Sequence, residues 1–322
     1  MNLYQLLKSG LFLTTLAYVI WGLTPLFYQH LRGVEAMEIF SMRVLFSVPL
    51  MVLLLLLSGT PVRVFKMLTQ PRTFFWLFLS TACISTSWYL NTWGSTHGQV
   101  LMVSLAYFLT PLISILIGVL YLRERLTLLQ WAALVFCASG FLYACTSLDS
   151  FPWLAIGIAV AFGSYGVIKK QVQIDPLNGL SAETLLMVPF ALFYLNGHMT
   201  EQSAWAAKEG GTHILLGLTA PIVLLPLGLF TFGVARLQNL STIAVLQYIE
   251  PTLYFLLAVF VFGEAIDMNR MTTFMLVWVG FIAFSIDALR RVKLTRRSAS
   301  KSPGGRGGRS KANRDAERPA DA

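Results

Sequence analysis

Three ionisable side chains, Arg43, Glu183 and Glu250, sit inside runs of apolar residues long enough to be membrane helices. At the centre of such a helix, a charged side chain costs roughly 2.5 to 3.5 kcal/mol on insertion scales. A residue kept against that cost faces a bundle interior, finds a partner or serves a pathway. Glu250 is the deepest of the three, beside Pro251, with Gln247 and Tyr254 at i−3 and i+4. It is the candidate for coupling, and three roles are open to it: pairing with Arg43 across a pocket, carrying a proton, or facing a watery cavity without consequence. Arg43 lies about a turn and a half into its run from one side. Glu183 lies barely inside its run from the other. Both positions permit snorkelling, and their opposite depths argue against a direct Arg43–Glu183 pair.

The elements that must position these residues are membrane helices. The chain has 322 residues, 56% of them hydrophobic and 12% charged, with a mean hydropathy of +0.67. Soluble domains carry about 25% charged residues. The apolar residues fall in blocks of about 20, enough to cross ~30 Å of hydrocarbon. Ten such spans are expected, at 10–29, 38–58, 74–93, 99–121, 128–146, 153–168, 182–197, 213–234, 240–262 and 271–289. The fold class is all-α and integral to the membrane. The first span lacks a small-residue cleavage site and is read as a retained helix, not a signal peptide.

The chain also writes one unit twice. Val103–Glu124 (VSLAYFLTPLISILIGVLYLRE) and Ile243–Glu264 (IAVLQYIEPTLYFLLAVFVFGE) superpose Pro111 on Pro251 and Glu124 on Glu264, and the same offset carries Gly140 onto Gly280. Thr110 then answers Glu250, so the repeat itself does not demand a carboxylate. Such self-similarity marks two copies of one unit, here residues 1–147 and 148–290. Five spans per half is an odd number, so the copies lie in opposite orientations, an arrangement that recurs in carriers with the substrate held between the halves. Trp21-Gly22 echoes Tyr165-Gly166, and Pro49 echoes Pro189.

On the fourth span, Ser104, Tyr107, Pro111, Ser114 and Gly118 form one stripe; Ala244, Gln247, Pro251, Tyr254 and Ala258 form its counterpart on the ninth. Small residues let helices approach in lipid. Tyr107, Gln247 and Tyr254 are larger than packing requires and are candidates for a pocket wall. Tyr18, Trp21 and Pro25 share a face of the first span. Tyr165 joins the pocket set as the echo of Trp21. Trp88 and Asn91 share a face of the third span, near enough to its end, with Trp93, that interfacial anchoring is the preferred reading. The pocket set is thus Tyr18, Trp21, Arg43, Trp88, Asn91, Tyr107, Tyr165, Gln247 and Tyr254. Pro25, Pro111 and Pro251 are candidate hinges, and simple kinks account for them equally well.

Lys8, Arg63, Lys66, Arg72, Arg123, Arg125, Lys169, Lys170 and Arg236 fall on one side of the predicted array; Arg32, Lys208 and Arg270 fall on the other. The positive-inside rule then makes both termini cytoplasmic, with Lys169 and Lys170 read as topology charges. From Arg290 onward, eleven Lys/Arg face three Asp/Glu. Residues 291–322 are read as a disordered basic tail near anionic lipid, dispensable for transport. The body carries no basic patch for nucleic acid. Cys83, Cys137 and Cys145 lack paired spacing, and neither a metal motif nor a nucleotide-binding loop is present. No metal, cofactor or catalytic residue is expected, and energy must come from an ion or solute gradient.

AYVIWGLTPLFY, SMRVLFSVP, AYFLTPLISILIGVLYLRERL, ETLLMVPFALFY and QYIEPTLYFLLAVFVFGE together resemble the RarD branch of the EamA family, within the drug/metabolite transporter superfamily. The resemblance covers roughly residues 10–290 and implies ten helices in two inverted repeats. It also implies export of small metabolites or drugs across the bacterial inner membrane. At Glu250 this chain departs from the family's QYIGP pattern, having a carboxylate where glycine is expected. The function expected is secondary transport of a small molecule, coupled to protons or to an exchanged solute, with the lipid bilayer as the chain's surroundings and a homodimer allowed. The alternatives are an intramembrane lipid- or metabolite-modifying enzyme, for which no catalytic motif is found, and a signalling or scaffold protein.

Overall fold

The computed structural model describes residues 9–122, 126–147, 151–172, 174–198, 203–205, 210–237 and 245–301. The first traverse is α1 (Gly10–Gly22) and α2 (Thr24–Tyr28), followed by a 3₁₀ turn (Gln29–Leu31). Next come α3 (Ala36–Ser58), α4 (Pro61–Thr69), α5 (Pro71–Thr96), α6 (Val100–Leu122) and α7 (Leu128–Ser147). The second half holds α8 (Trp153–Val172), α9 (Pro176–His198), α10 (Gly210–Val234), α11 (Ile249–Leu256) with a π turn (Leu257–Val261), and α12 (Met268–Lys301). With α4 set aside, these are the ten expected traverses of an all-helical membrane protein.

Four details depart from the expected spans. The first span is not one helix: it breaks at Leu23, between Gly22 and Pro25. The ninth turns at Gln247-Tyr248 before α11 begins, and residues 240–244 lie outside the described set. Helix α4, unforeseen, starts on Pro61 and exposes Val62 and Phe65. Finally, α12 continues to Lys301, so the start of the tail expected to be disordered is helical. After Gly280 no Gly or Pro occurs before Pro303, so no helix-breaking residue stops the helix sooner. Residues 302–322 lie outside the described set.

The packing is symmetric under exchange of α1 with α8, α3 with α9, α5 with α10, α6 with α11 and α7 with α12. Thus α1 packs on α10 as α8 packs on α5, α3 meets α10 as α9 meets α5, and α3–α9, α6–α11 and α7–α12 are self-related pairs. Gly140 and Gly280 show why the sequence repeats glycine there. A Cβ on Gly280 would strike Cys137 Sγ and Ala133 O, and one on Gly140 would meet Leu276, Val277 and Thr273 O within 3.1 Å. Each half gives the α7–α12 crossing one residue without a side chain. Glu264 caps α6, accepting from Val100 N at 2.7 Å and Leu101 N at 2.9 Å. Burial raises its carboxyl above the ordinary value, offset in part by those N–H groups and by Arg270 and Arg32. Its repeat partner Glu124 lies outside the described residues.

Candidate functional site

Residues of α1, α2, α3, α5, α6, α8, α9, α10 and α11 line a cavity of about 330 Å³, at the small end of ligand-binding cavities. Tyr18, Trp21, Arg43, Trp88, Asn91, Tyr107, Tyr165, Glu250 and Tyr254 all line it. Gln247 does not. The spacing that placed it beside Glu250 assumes a continuous helix, whereas α11 begins at Ile249 and Gln247 sits in the preceding turn. Trp88 and Asn91 are wall residues rather than interfacial anchors. Trp93, not among the wall residues, stacks on His97 at 4.4 Å and lies against Trp153 at 5.1 Å.

The wall is held by hydrogen bonds between distant segments. Asn91 Nδ2 donates to Tyr107 OH at 2.7 Å and to Tyr254 OH at 3.2 Å, and Tyr254 OH shares a 2.8 Å bond with Thr24 Oγ1. Four traverses thereby meet around one phenol. Rings continue the wall: Tyr107 is edge-on to Tyr254 (5.7 Å) and to Phe162 (6.0 Å), and Phe162 stacks on Tyr165. Tyr18, Trp21 and Phe230 make a second cluster at 5.7 to 5.8 Å. Thr24, Tyr28, Phe162 and Phe230 are wall residues that sequence reasoning missed. Tyr28 was readable, since it extends the Tyr18–Trp21–Pro25 stripe by three residues. Phe230 carried no such signal.

Two of the hinge candidates sit where a missing N–H leaves no bond unmade. Pro25 is in the first turn of α2 and Pro251 in the first turn of α11. Pro111 is inside α6. Ser104 Oγ donates to Pro251 O at 2.8 Å, pinning the start of α11 to α6. Gly22 admits α11 against α1, since a Cβ there would lie 2.6 Å from Leu253 and 3.3 Å from Glu250 Cα.

The three charges divide into one ion-paired cluster around Glu183 and two groups, Arg43 and Glu250, that make no ion pair among the described residues. Glu183 is fully buried, contrary to the snorkelling reading. It accepts from Lys169 Nζ (2.9 Å), Ser80 Oγ (2.5 Å) and Tyr165 OH (3.2 Å), tying α5, α8 and α9 together just beyond the cavity. Lys169 is therefore a structural partner and not merely a topology charge. Arg43 is buried and donates through Nη1 to Tyr28 OH at 3.3 Å, with Trp88 and Phe40 beneath its guanidinium. It makes no pair with Glu183 and none with Glu250: among the described residues the ion pair is Lys169–Glu183. Glu250 lines the cavity with no hydrogen bond among the described residues.

Residues 8–146 match the EamA-like transporter family. An uncharacterized transporter of Vibrio cholerae is 37% identical over 292 residues, covering 90% of this chain and 96% of its own. The protein RarD of Salmonella typhimurium is 35% identical over 283 residues, covering 88% and 96%. One solved crystal structure superposes with a TM-score of 0.58 over 87% of this chain and 98% of its own, at 16% identity, a likeness of fold. The repeat, the ten helices and relatives matched along nearly their whole length lead to one assignment: this chain is a RarD-type member of the EamA-like transporter family.

Proposed function

We propose that the protein is a secondary carrier that exports a small metabolite or drug across the bacterial inner membrane, with the central cavity as its binding site. The observation that carries this reading is the cavity itself, walled by both halves and lined by every pocket candidate but Gln247. Residues 1–147 and 148–290 act as inverted halves that rock about it, with Pro25, Pro111 and Pro251 as hinges. Glu250 carries the coupling proton, because a solitary carboxylate at that depth has no partner to offset its insertion cost.

The reading is tested by comparing exported solutes in deletion and overexpression strains, then reconstituting the purified protein and following the best candidates into vesicles. Gradient-driven movement above that of empty vesicles is expected. Its absence under every imposed gradient overturns the carrier.

The distribution of Lys and Arg along the chain supports a cytoplasmic location for both termini. In a background without cysteines, Phe151→Cys and Glu201→Cys should react with an impermeant thiol reagent added to intact cells. Arg63→Cys and Ala299→Cys should react only after lysis. The reverse pattern inverts the orientation.

A further inference from the structure

Arg43 is left with more hydrogen-bonding capacity than the fold uses. It is 4% exposed, one guanidinium nitrogen donates to Tyr28 OH at 3.3 Å, and Nη2 is buried with no partner. The carboxylates near the wall are otherwise engaged or distant. Glu183 is taken by Lys169, Ser80 and Tyr165, and Glu38 accepts from Ala204 N and Trp205 N. Glu250 lies at the level of Gly22 on α1, whereas Arg43 bonds to Tyr28. Those levels lie on opposite sides of the break at Leu23, and no ion pair joins Arg43 to Glu250, so the anionic group is assigned to Arg43 alone.

Arginine cannot discard its proton, and a buried donor left unmade is costly. We infer that the cavity recognises an anionic solute: a carboxylate or comparable acid on an aromatic or apolar body, its anionic group paired with Arg43. This rests on the carrier reading and names the substrate class. Charge-assisted bonds to a guanidinium are strong and directional, and Tyr28 and Trp88 hold the group in place from two sides. Tyr107, Phe162 and Tyr254 offer faces for the body. A cavity of about 330 Å³ holds one such molecule.

The test uses three probes with one body and different charge: phenylacetate, phenylacetamide and phenethylamine. Each is titrated calorimetrically into the purified full-length protein in detergent. Phenylacetate should bind at least about tenfold tighter than the amide. Arg43→Gln should abolish the difference, and Arg43→Lys should keep part of it. Because Arg43 has no carboxylate partner among the described residues, Arg43→Gln orphans no opposite charge, and gel filtration checks that it is folded. Equal binding of acid and amide, tightest binding of the amine (a site governed by Glu250), no binding of any probe at millimolar concentration, or an acid preference that survives Arg43→Gln overturns the inference. Counterflow of labelled phenylacetate in vesicles separates this from the carrier reading. Binding without movement upholds the anion site and sinks the carrier; equal movement of all three probes does the opposite.

Discussion

Glu250→Gln should still bind and exchange substrate between equal pools but no longer concentrate it when a pH difference is imposed. The carboxylate lines the cavity with no hydrogen bond or ion pair among the described residues. Glutamine keeps its shape and removes its ability to take up and release a proton. If one proton moves per solute, one pH unit drives about tenfold accumulation in the wild type, and the variant should stay at unity. The readout is the ratio of internal to external labelled solute at steady state, with exchange measured in the same vesicles. A Gln variant that accumulates solute like the wild type rules out proton coupling through this residue. Loss of exchange as well would place Glu250 in binding instead.

The second large effect is expected at Glu183. Its carboxylate receives three donors from two neighbouring helices, and the side chains of Glu183 and Lys169 are 0% and 23% exposed. Removing one member of a buried pair typically costs about 3 to 5 kcal/mol, because the other charge is left without compensation. Glu183→Ala should therefore lower the midpoint of thermal unfolding in detergent by many degrees. The double variant Lys169→Met with Glu183→Met removes both charges and should recover most of that loss. Equal loss in the single and double variants would show that the pair is not what holds α5, α8 and α9 together. Tyr165 both bonds Glu183 and lines the cavity, so the single variant should also weaken solute binding.

Much of the architecture is a local property, which is why it was legible without coordinates. Whether a block of about 20 residues crosses a membrane depends on its own transfer free energy and its own hydrogen bonds. The ten traverses follow from that, and the repeat of Pro111 and Gly140 as Pro251 and Gly280 announced the symmetry of the packing. The cavity's charges were readable for the same reason: Arg43 and Glu250 stand out against apolar neighbours whatever the fold.

What only the tertiary structure decided are matters of which helix faces which, and in what register. Lys169 is a topology charge by its position in the chain and becomes the partner of Glu183 only because α8 and α9 both pack on α5. Thr24 meets Tyr254 across 230 residues, a contact that neither stretch encodes alone. Gln247 leaves the wall because the chain turns before α11, and a heptad-like spacing carries no information once the helix that would give it a face is interrupted. Helical periodicity assigns a residue to a side of its own helix. The direction of that side, toward lipid, a neighbour or the cavity, is set by contacts between segments far apart in sequence, and it appears only when the bundle is assembled.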